Sequence, residues 1–327
     1  MDSRQTDSAP SFSKMAVRRV GGVVMAASLA LLTLAGCGTT GGTSSQTTGS
    51  SCPSTATQNS WQLVAPGKLT IITNSPYAPA EFPDPNSPTK ITGYDMDIAA
   101  AIAKQMCLTL VINNTQNFDS IIPDISGPAL GQQPYDMSIS SFTINASRQA
   151  KVDMIPYFQA GESLIVPPGN PAKLTSDFSS FCGHTIAAQD GTVELQELQD
   201  INGGNNGTGD PAACKSNPIK ILHFADQSVV VQQLVTASAD ASYQDSPVSG
   251  YYVAQNSGKV EQGPVTVALA PEGIVVRKDN APFENAVKSA LAAIRTDGTY
   301  KSILTHWDSS AAPIRRWRAS SSYPPGQ

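Results

Sequence analysis

The stretch "ITGYDMDIAAAIAKQMCLTLVIN", residues 91–113, holds two hydrophobic rhythms back to back. Ile98, Ile102 and Met106 recur four residues apart, which puts them on one face of a helix. Asp95 stands at a cap position and Asp97 in the first turn, where carboxylates meet the positive end of the helix dipole. "LTLVIN" then is a short apolar run of strand length, rich in β-branched and aliphatic residues. Ahead of them, "KLTIIT" at residues 68–73 is another such run. Strand, helix, strand is the order that gives parallel pairing across a helical crossover.

The same alternation extends in both directions. A Pro-rich loop fills the gap between residues 73 and 91. "FDSIIPDI" at 118–125 starts a second helix or turn, and "YDMSIS" at 135–140 is a third strand. The pattern restarts at Thr185 to Ala188 and again at Ile219 to Leu222. "VVVQQLV" reads as a helix, "ADASYQ" as a strand and "SPVSGYYVAQN" as a helix. "PFENAVKSALAAIRTDGTY" is a long amphipathic helix that Gly298 stops. The sequence therefore predicts an α/β protein with two α/β units.

Only 14% of the 327 residues are charged and the formal net charge is −5, so there is no basic surface for nucleic acid. No 18-residue apolar span follows residue 37. Before it, Arg18 and Arg19 precede the apolar run Val20 to Leu34, and Leu34-Ala35-Gly36-Cys37 follows. That order is an export signal ending in small residues. Its last four residues resemble a bacterial lipobox, which implies cleavage before Cys37 and acylation of the Cys37 sulfur. An ordinary signal peptide or a short membrane anchor is the alternative, and the start at Met1 or Met15 stays open. Residues 1–36 are thus expected to be a lipoprotein signal peptide. The Gly/Ser/Thr/Gln-rich residues 37–60 are expected to be a flexible tether, with the folded body beginning near Trp61.

Five cysteines fit an exported chain, because acylation of Cys37 leaves an even four: Cys52, Cys107, Cys182 and Cys214. Four cysteines allow three pairings. Cys182 and Cys214 bracket the polar stretch "NGGNNGTGD", and a bridge at its base is the expected use. Cys52 with Cys107 is then the remaining pair and would pin the tether's end to the first helix. No CxxC or HxxxH spacing occurs and the three histidines are scattered, so neither a metal nor a cofactor is expected.

Seven stretches, in order, carry a resemblance over residues 61–308. They are "LTIITNSPYAPAEF", "ITGYDMDIAAAIAKQM", "FDSIIPDI", "YDMSISSFTINASRQAKVDMIPYF", "GHTIAAQDGTVEL", "ADASYQDSPVSGYY" and "IRTDGTYKSILTHW". The chain resembles the polar amino-acid-binding proteins of ABC importers, extracellular solute-binding protein family 3. The resemblance implies a two-lobed periplasmic-binding-protein-like fold of type II, with two hinge strands and the ligand in the cleft between the lobes. Lobe 1 would comprise residues 61–164 and return over 272–310. Lobe 2 would comprise 165–271, and 311–327 would be a tail. The hinge crossings are expected near Ser163 to Val166 and near Ala268 to Val276. The resemblance further implies a monomer anchored to the outer face of the cell membrane, served by permease and ATPase subunits.

"SISSFTINASR", residues 138–148, sets one guanidinium beside a row of hydroxyls. A free amino acid carries a carboxylate and an ammonium, and each must be paired if both leave water. Arg148 can hold the carboxylate through two parallel hydrogen bonds, with Thr143 and Ser141 beside it. Asp245, an acceptor-only side chain before Ser246-Pro247, is the expected ammonium partner, although Asp in that position also caps helices. Thr192, at a helix start, would bring backbone N–H groups to the carboxylate. In the resemblance these positions match the family's ligand-binding set, Tyr77 and Phe118 match its aromatic and apolar walls, and Glu81 matches a structural acid. Asn74 and Gln189 are expected to face the ligand's side chain. The two amides, with Gln244 as a third near them, point to a polar uncharged side chain rather than a cationic one, glutamine or asparagine first and glutamate or aspartate behind. Asp190 is the residue that would instead supply a negative charge. Two other classes remain. One is a ligand-sensing module coupled to a membrane receptor. The other is a dehydratase-like enzyme, for which no nucleophile turn, metal cluster or phosphate loop is present.

Overall fold

The computed structural model describes residues 52–203 and 213–310. The signal peptide, Cys37, the tether's first part, most of the "NGGNNGTGD" stretch and the tail from 311 lie outside the described residues.

The chain opens with a helical turn, α1 (Thr55–Asn59), and then strand β1 (Lys68–Thr73). The Pro-rich stretch read as a loop is in fact a hairpin of β2 (Phe82–Asp84) and β3 (Ser87–Thr92). Prolines 83 and 88 are tolerated there because this two-stranded sheet stands apart from the main one and needs few ladder donors. Next come α2 (Tyr94–Gln105), β4 (Thr109–Asn114), α3 (Ile121–Ser126), β5 (Met137–Ser138), α4 (Ala146–Gln149) and the 14-residue β6 (Asp153–Val166). The second run is β7 (Thr185–Gln189), α5 (Val193–Ile201), β8 (Lys220–Phe224), α6 (Gln227–Val235), β9 (Ala241–Asp245) and α7 (Ser246–Gln255). The 16-residue β10 (Glu261–Val276), α8 (Ala281–Thr296) and α9 (Thr299–Ser310) close the described chain.

The main sheet has eight strands in the order β4-β1-β5-β10-β6-β9-β7-β8. Pairing is parallel within β4-β1-β5 and within β9-β7-β8, as the strand–helix–strand alternation predicts. Between them β6 and β10 run antiparallel, from Asp153 opposite Val276 to Val166 opposite Glu261. One end of this ribbon carries β5, at Val275–Ser138, and the other carries β9, along Glu162–Ile165. This is the two-lobed fold the sequence predicts, with one correction of position. Glu162 to Ile165 already pair with β9, so β6 crosses before Glu162 rather than over 163–166. The register of the ribbon slips repeatedly between Gln262 and Ala270, and such bulges bend and twist a strand pair where it leaves one layer for another.

Both faces of each half are covered. Ile71 and Ile72 are neighbours on β1 and enter different cores, one under α2 and α8, the other under Phe118, Ile121 and Ile125. In the second half Ile186 and Leu198 share one core while Val231 and Leu234 pack against Ile165. This two-sided burial is why the strands read as continuous apolar runs. On α8 the buried stripe is Phe283, Val287, Ala290, Leu291 and Ile294. The cap of α2 is Gly93, not Asp95. Gly93 sits at φ +134°, and a Cβ there would lie 1.9 Å from the Ala80 oxygen, so only glycine fits. Asp95 lies one residue inside the helix, fully buried, and accepts from the Ser141 N–H and the Tyr157 hydroxyl.

Both expected disulfides are present, Cys52–Cys107 and Cys182–Cys214. The first ties the α1 segment to the end of α2, where the Gln58 side chain also donates to the Met106 oxygen. The body therefore begins before Trp61, at least as early as Cys52. For the second, replacing Cys182 and Cys214 by serine should lower the unfolding free energy by roughly 3–4 kcal/mol, from the loop-closure entropy of a segment of about 33 residues. Urea unfolding of the variant beside the oxidised protein checks this, and peptide mapping without reductant should find neither cysteine free.

Candidate functional site

The C-terminal ends of the parallel strands point into one cavity between the halves, where open α/β sheets place their ligands. Asn74 and Tyr77 follow β1, Phe118 follows β4, and Ser140, Ser141 and Thr143 follow β5. Arg148 sits on the single turn of α4, whose N-cap Asn145 accepts from the Arg148 N–H. From the other half come Gln189 at the end of β7, Thr192, Val193 and Glu194 at the start of α5, and Asp245 at the end of β9. All nine residues singled out from the sequence line this cavity, together with Glu81, Ser140, Val193 and Glu194.

The Arg148 guanidinium is held on three sides. One terminal nitrogen donates to the Thr143 oxygen at 2.8 Å and the other to the Gly191 oxygen at 3.0 Å, in the opposite half. Its central carbon lies 5.1 Å from the Phe142 ring centre and 5.6 Å from that of Phe118, and those rings stack on each other. Burial pulls the Arg148 pKa down, opposed by the carboxylates of Glu194, Asp245 and Asp119. Five N–H donors minus these two bonds leave donors for an incoming anion.

Asp245 is at the N-cap position of α7 but makes no side-chain cap hydrogen bond. Instead its Oδ2 accepts from the Tyr77 hydroxyl at 2.7 Å, across the cleft. Burial raises its pKa to about 7, with the Tyr77 hydrogen bond and Arg148 pulling the other way. Of its two sequence readings, cleft acid and cap, the side chain adopts the first. Thr192 does the reverse: its hydroxyl accepts from the Leu195 N–H and donates to the Gln189 oxygen, so it shapes the start of α5. Ser141 holds φ +46°, an uncommon conformation for a non-glycine residue, and its hydroxyl has no partner.

The two amides expected to read the ligand's side chain bond each other. Gln189 Nε2 donates to Asn74 Oδ1 at 2.7 Å, and Asn74 Nδ2 donates to the Thr115 oxygen at 2.7 Å, so both ends of the Asn74 amide are engaged. Gln244 is turned away, donating to Ser249 and the Ser163 oxygen, and Asp190 pairs with His223 outside the cavity. Both amides line the cavity while tied to each other. Glu81, read as structural, accepts from the Ser140 hydroxyl and also faces the cavity.

Glu194 was missed. It is 2% exposed, its Oε1 has no hydrogen-bond partner, and burial pushes its pKa well up, followed by the charges of Asp245 and Glu162. An acid in the first turn of a helix is ordinary, which hid it. The signal was spacing: Glu194, Leu198 and Ile201 stand at i, i+4 and i+7, so the helix's apolar stripe carries Glu194 inward.

Gly191 marks a close approach of the halves. Its φ is +76°, and a Cβ would fall 2.5 Å from Asp119 Oδ1 and 3.1 Å from the Phe118 ring. Gly191→Ala should therefore hold the halves apart and weaken ligand binding at least about tenfold, which calorimetry reads, with little change in far-UV circular dichroism. The Asp245 carboxyl gives a pH prediction. A bound ammonium needs it ionised, and its pKa is raised to about 7. Affinity should be full above pH 7 and lost as pH falls through 7, by up to about tenfold per unit. Titrations between pH 5 and 8.5 check this.

Residues 69–310 match the family described as bacterial extracellular solute-binding proteins, family 3. The arginine-binding protein of Corynebacterium glutamicum is 29% identical over 252 residues, 75% of each chain. Among solved structures, an ancestral arginine-binding protein bound to arginine superposes with a TM-score of 0.65 at 29% identity, over 74% of this chain and 98% of that one. An ancestral amino acid-binding protein described as a precursor of cyclohexadienyl dehydratase gives 0.62 at 29% identity, over 74% and 95%.

Proposed function

Because the chain belongs to the bacterial extracellular solute-binding proteins of family 3, we propose that it is the substrate-binding component of an ABC amino-acid importer. It captures a free polar amino acid outside the membrane and delivers it to the permease. The observation that carries this reading is the placement of Arg148 and Asp245 on opposite walls of one cavity, one from each half of the sheet. An α-carboxylate on Arg148 and an α-ammonium on Asp245 make the ligand itself the bridge between lobes, so binding and closure are one event. Tyr77 orients the Asp245 carboxylate, Phe118 forms the wall beside Arg148, and the start of α5, shaped by Thr192, closes over the carboxylate.

In this reading Cys37 is the acylated residue, the tether lets the body reach the permease from the outer face of the membrane, and the protein acts as a monomer. Lobe 1 is residue 61 to the β6 crossing before Glu162 with 272–310, and lobe 2 is the stretch between, with the α1 segment added to lobe 1 through Cys52. We read the site as a binder rather than an enzyme because Arg148 and Asp245 are accounted for by holding the two charges of an amino acid. The named relatives are binding proteins, and one solved neighbour is a dehydratase precursor.

Calorimetry with the twenty amino acids tests the proposal. At least one should bind, and Arg148→Ala should abolish its binding while Asp245→Asn weakens it nearly as much, each by about 100-fold or more. Binding to Arg148→Ala within about threefold of the parent protein would refute the assignment.

A further inference from the structure

Resting on the amino-acid reading above, we propose that the site selects a ligand whose side chain is cationic, and that Glu194 is the residue that reads that charge. The argument is a count of open valences. An amino acid's α-groups occupy Arg148 and Asp245. What remains on the cavity wall is rich in open acceptors, beside the Ser141 hydroxyl, which is also unpartnered. Gln189 spends both amide hydrogens, on Asn74 Oδ1 and the Ala225 oxygen, so its orientation is fixed and its unpartnered Oε1 can only accept. Glu194 Oε1 is buried and unpartnered, and so is Glu81 Oε2.

Three carboxyl groups, of Glu81, Glu194 and Asp245, thus face a cavity lined by one cationic residue, Arg148. A side-chain carboxylate on the ligand would add a fourth carboxyl group to the cavity. A carboxamide would bring a carbonyl oxygen for which the Ser141 hydroxyl is the one buried side-chain donor left without a partner on the described wall. A guanidinium or ammonium carries donors only, so it matches the open acceptors of Glu194, Glu81 and Gln189 and gives the buried Glu194 a counter-charge on ionisation. Glu194 lies among Asp245 on β9, Glu162 on β6, Glu197 on its own helix and Tyr77 and Arg148 across the cleft, so its surroundings hold three acids to one cation. Bringing a positive charge there relieves repulsion among the acids as well.

The test compares isosteres by calorimetry at pH 8. Arginine against citrulline differs only by guanidinium against urea, and lysine against norleucine only by the ammonium. The intact protein should bind arginine, lysine or both at least tenfold tighter than the neutral partner. Glu194→Gln should bring that ratio to within about threefold of one by weakening the cation. Asp190→Asn, which touches His223 outside the cavity, should leave the ratio as it is. Neutral partners binding as tightly as the cations would overturn the charge selection while the amino-acid reading stands. A cation preference that persists in Glu194→Gln would overturn the role of Glu194. The comparison in the unsubstituted protein decides the first point even if the variant does not fold. If no amino acid binds at all, the reading on which the proposal rests falls with it.

Discussion

The antiparallel pairing of β6 with β10 is the constraint on which the rest depends. Every other strand belongs to one half or the other, and only this ribbon is shared. It fixes where the ends of β1, β5, β7 and β9 meet, and therefore where a ligand can be held. Its own register slips lie between Gln262 and Ala270, so the ribbon is least regular where it passes between the halves. A pair of strands resists stretching and shear through its ladder but bends and twists at bulges. That is the mechanical character a hinge needs.

Burial of acids is the second theme. The Tyr157 hydroxyl, on β6, meets Asp95 of α2 at 2.6 Å and Glu272 of β10 at 3.1 Å. The Tyr243 hydroxyl meets Glu162, Glu197 and Thr266 at 2.6 to 2.8 Å. One hydroxyl has one hydrogen, so carboxyls that share it must carry protons of their own. Burial accordingly raises Asp95 to about 7 and Glu197 to about 8. These clusters join the ribbon to α2, to α5 and to the loop bearing Ser141. The acids around the cavity are the exposed end of a wider arrangement in which negative charge is kept near neutrality by shared protons, with Arg148 the cation at its centre.

Much of this was legible in the sequence, for identifiable reasons. Ile98, Ile102 and Met106 declared α2, and the runs "KLTIIT" and "LTLVIN" declared a parallel pair, because both faces of that sheet are buried. Arg148, Asp245 and their neighbours were legible because two opposite charges in a chain of low charge content need a reason. The hairpin β2–β3 was not, since prolines argue against strands unless the pairing is known. Gly93 was passed over as a cap because its reason is a contact with Ala80, thirteen residues away. Asn74 and Gln189 were seen, but not their pairing: amides 115 residues apart in sequence bond each other, and only the fold brings them together. Glu194 was hidden by a local rule, the preference for acids at helix starts, which happened to agree with its position.

Three of the contacts described above cross the cleft without any help from a guest: Tyr77 to Asp245, Arg148 to the Gly191 oxygen, and Gln189 to Asn74. Each is worth on the order of 1 kcal/mol net, and the first two involve charged groups and exceed that. In a protein that carries cargo, such clasps act on time rather than on equilibrium alone. Cargo leaves no faster than the clasps part, so they set a floor on its residence and keep it from leaking away before a membrane partner is met. The same clasps define the work of unloading. If the chain serves a permease as proposed, that partner would have to supply replacements for these bonds to part the lobes, and so would set when the cargo is released.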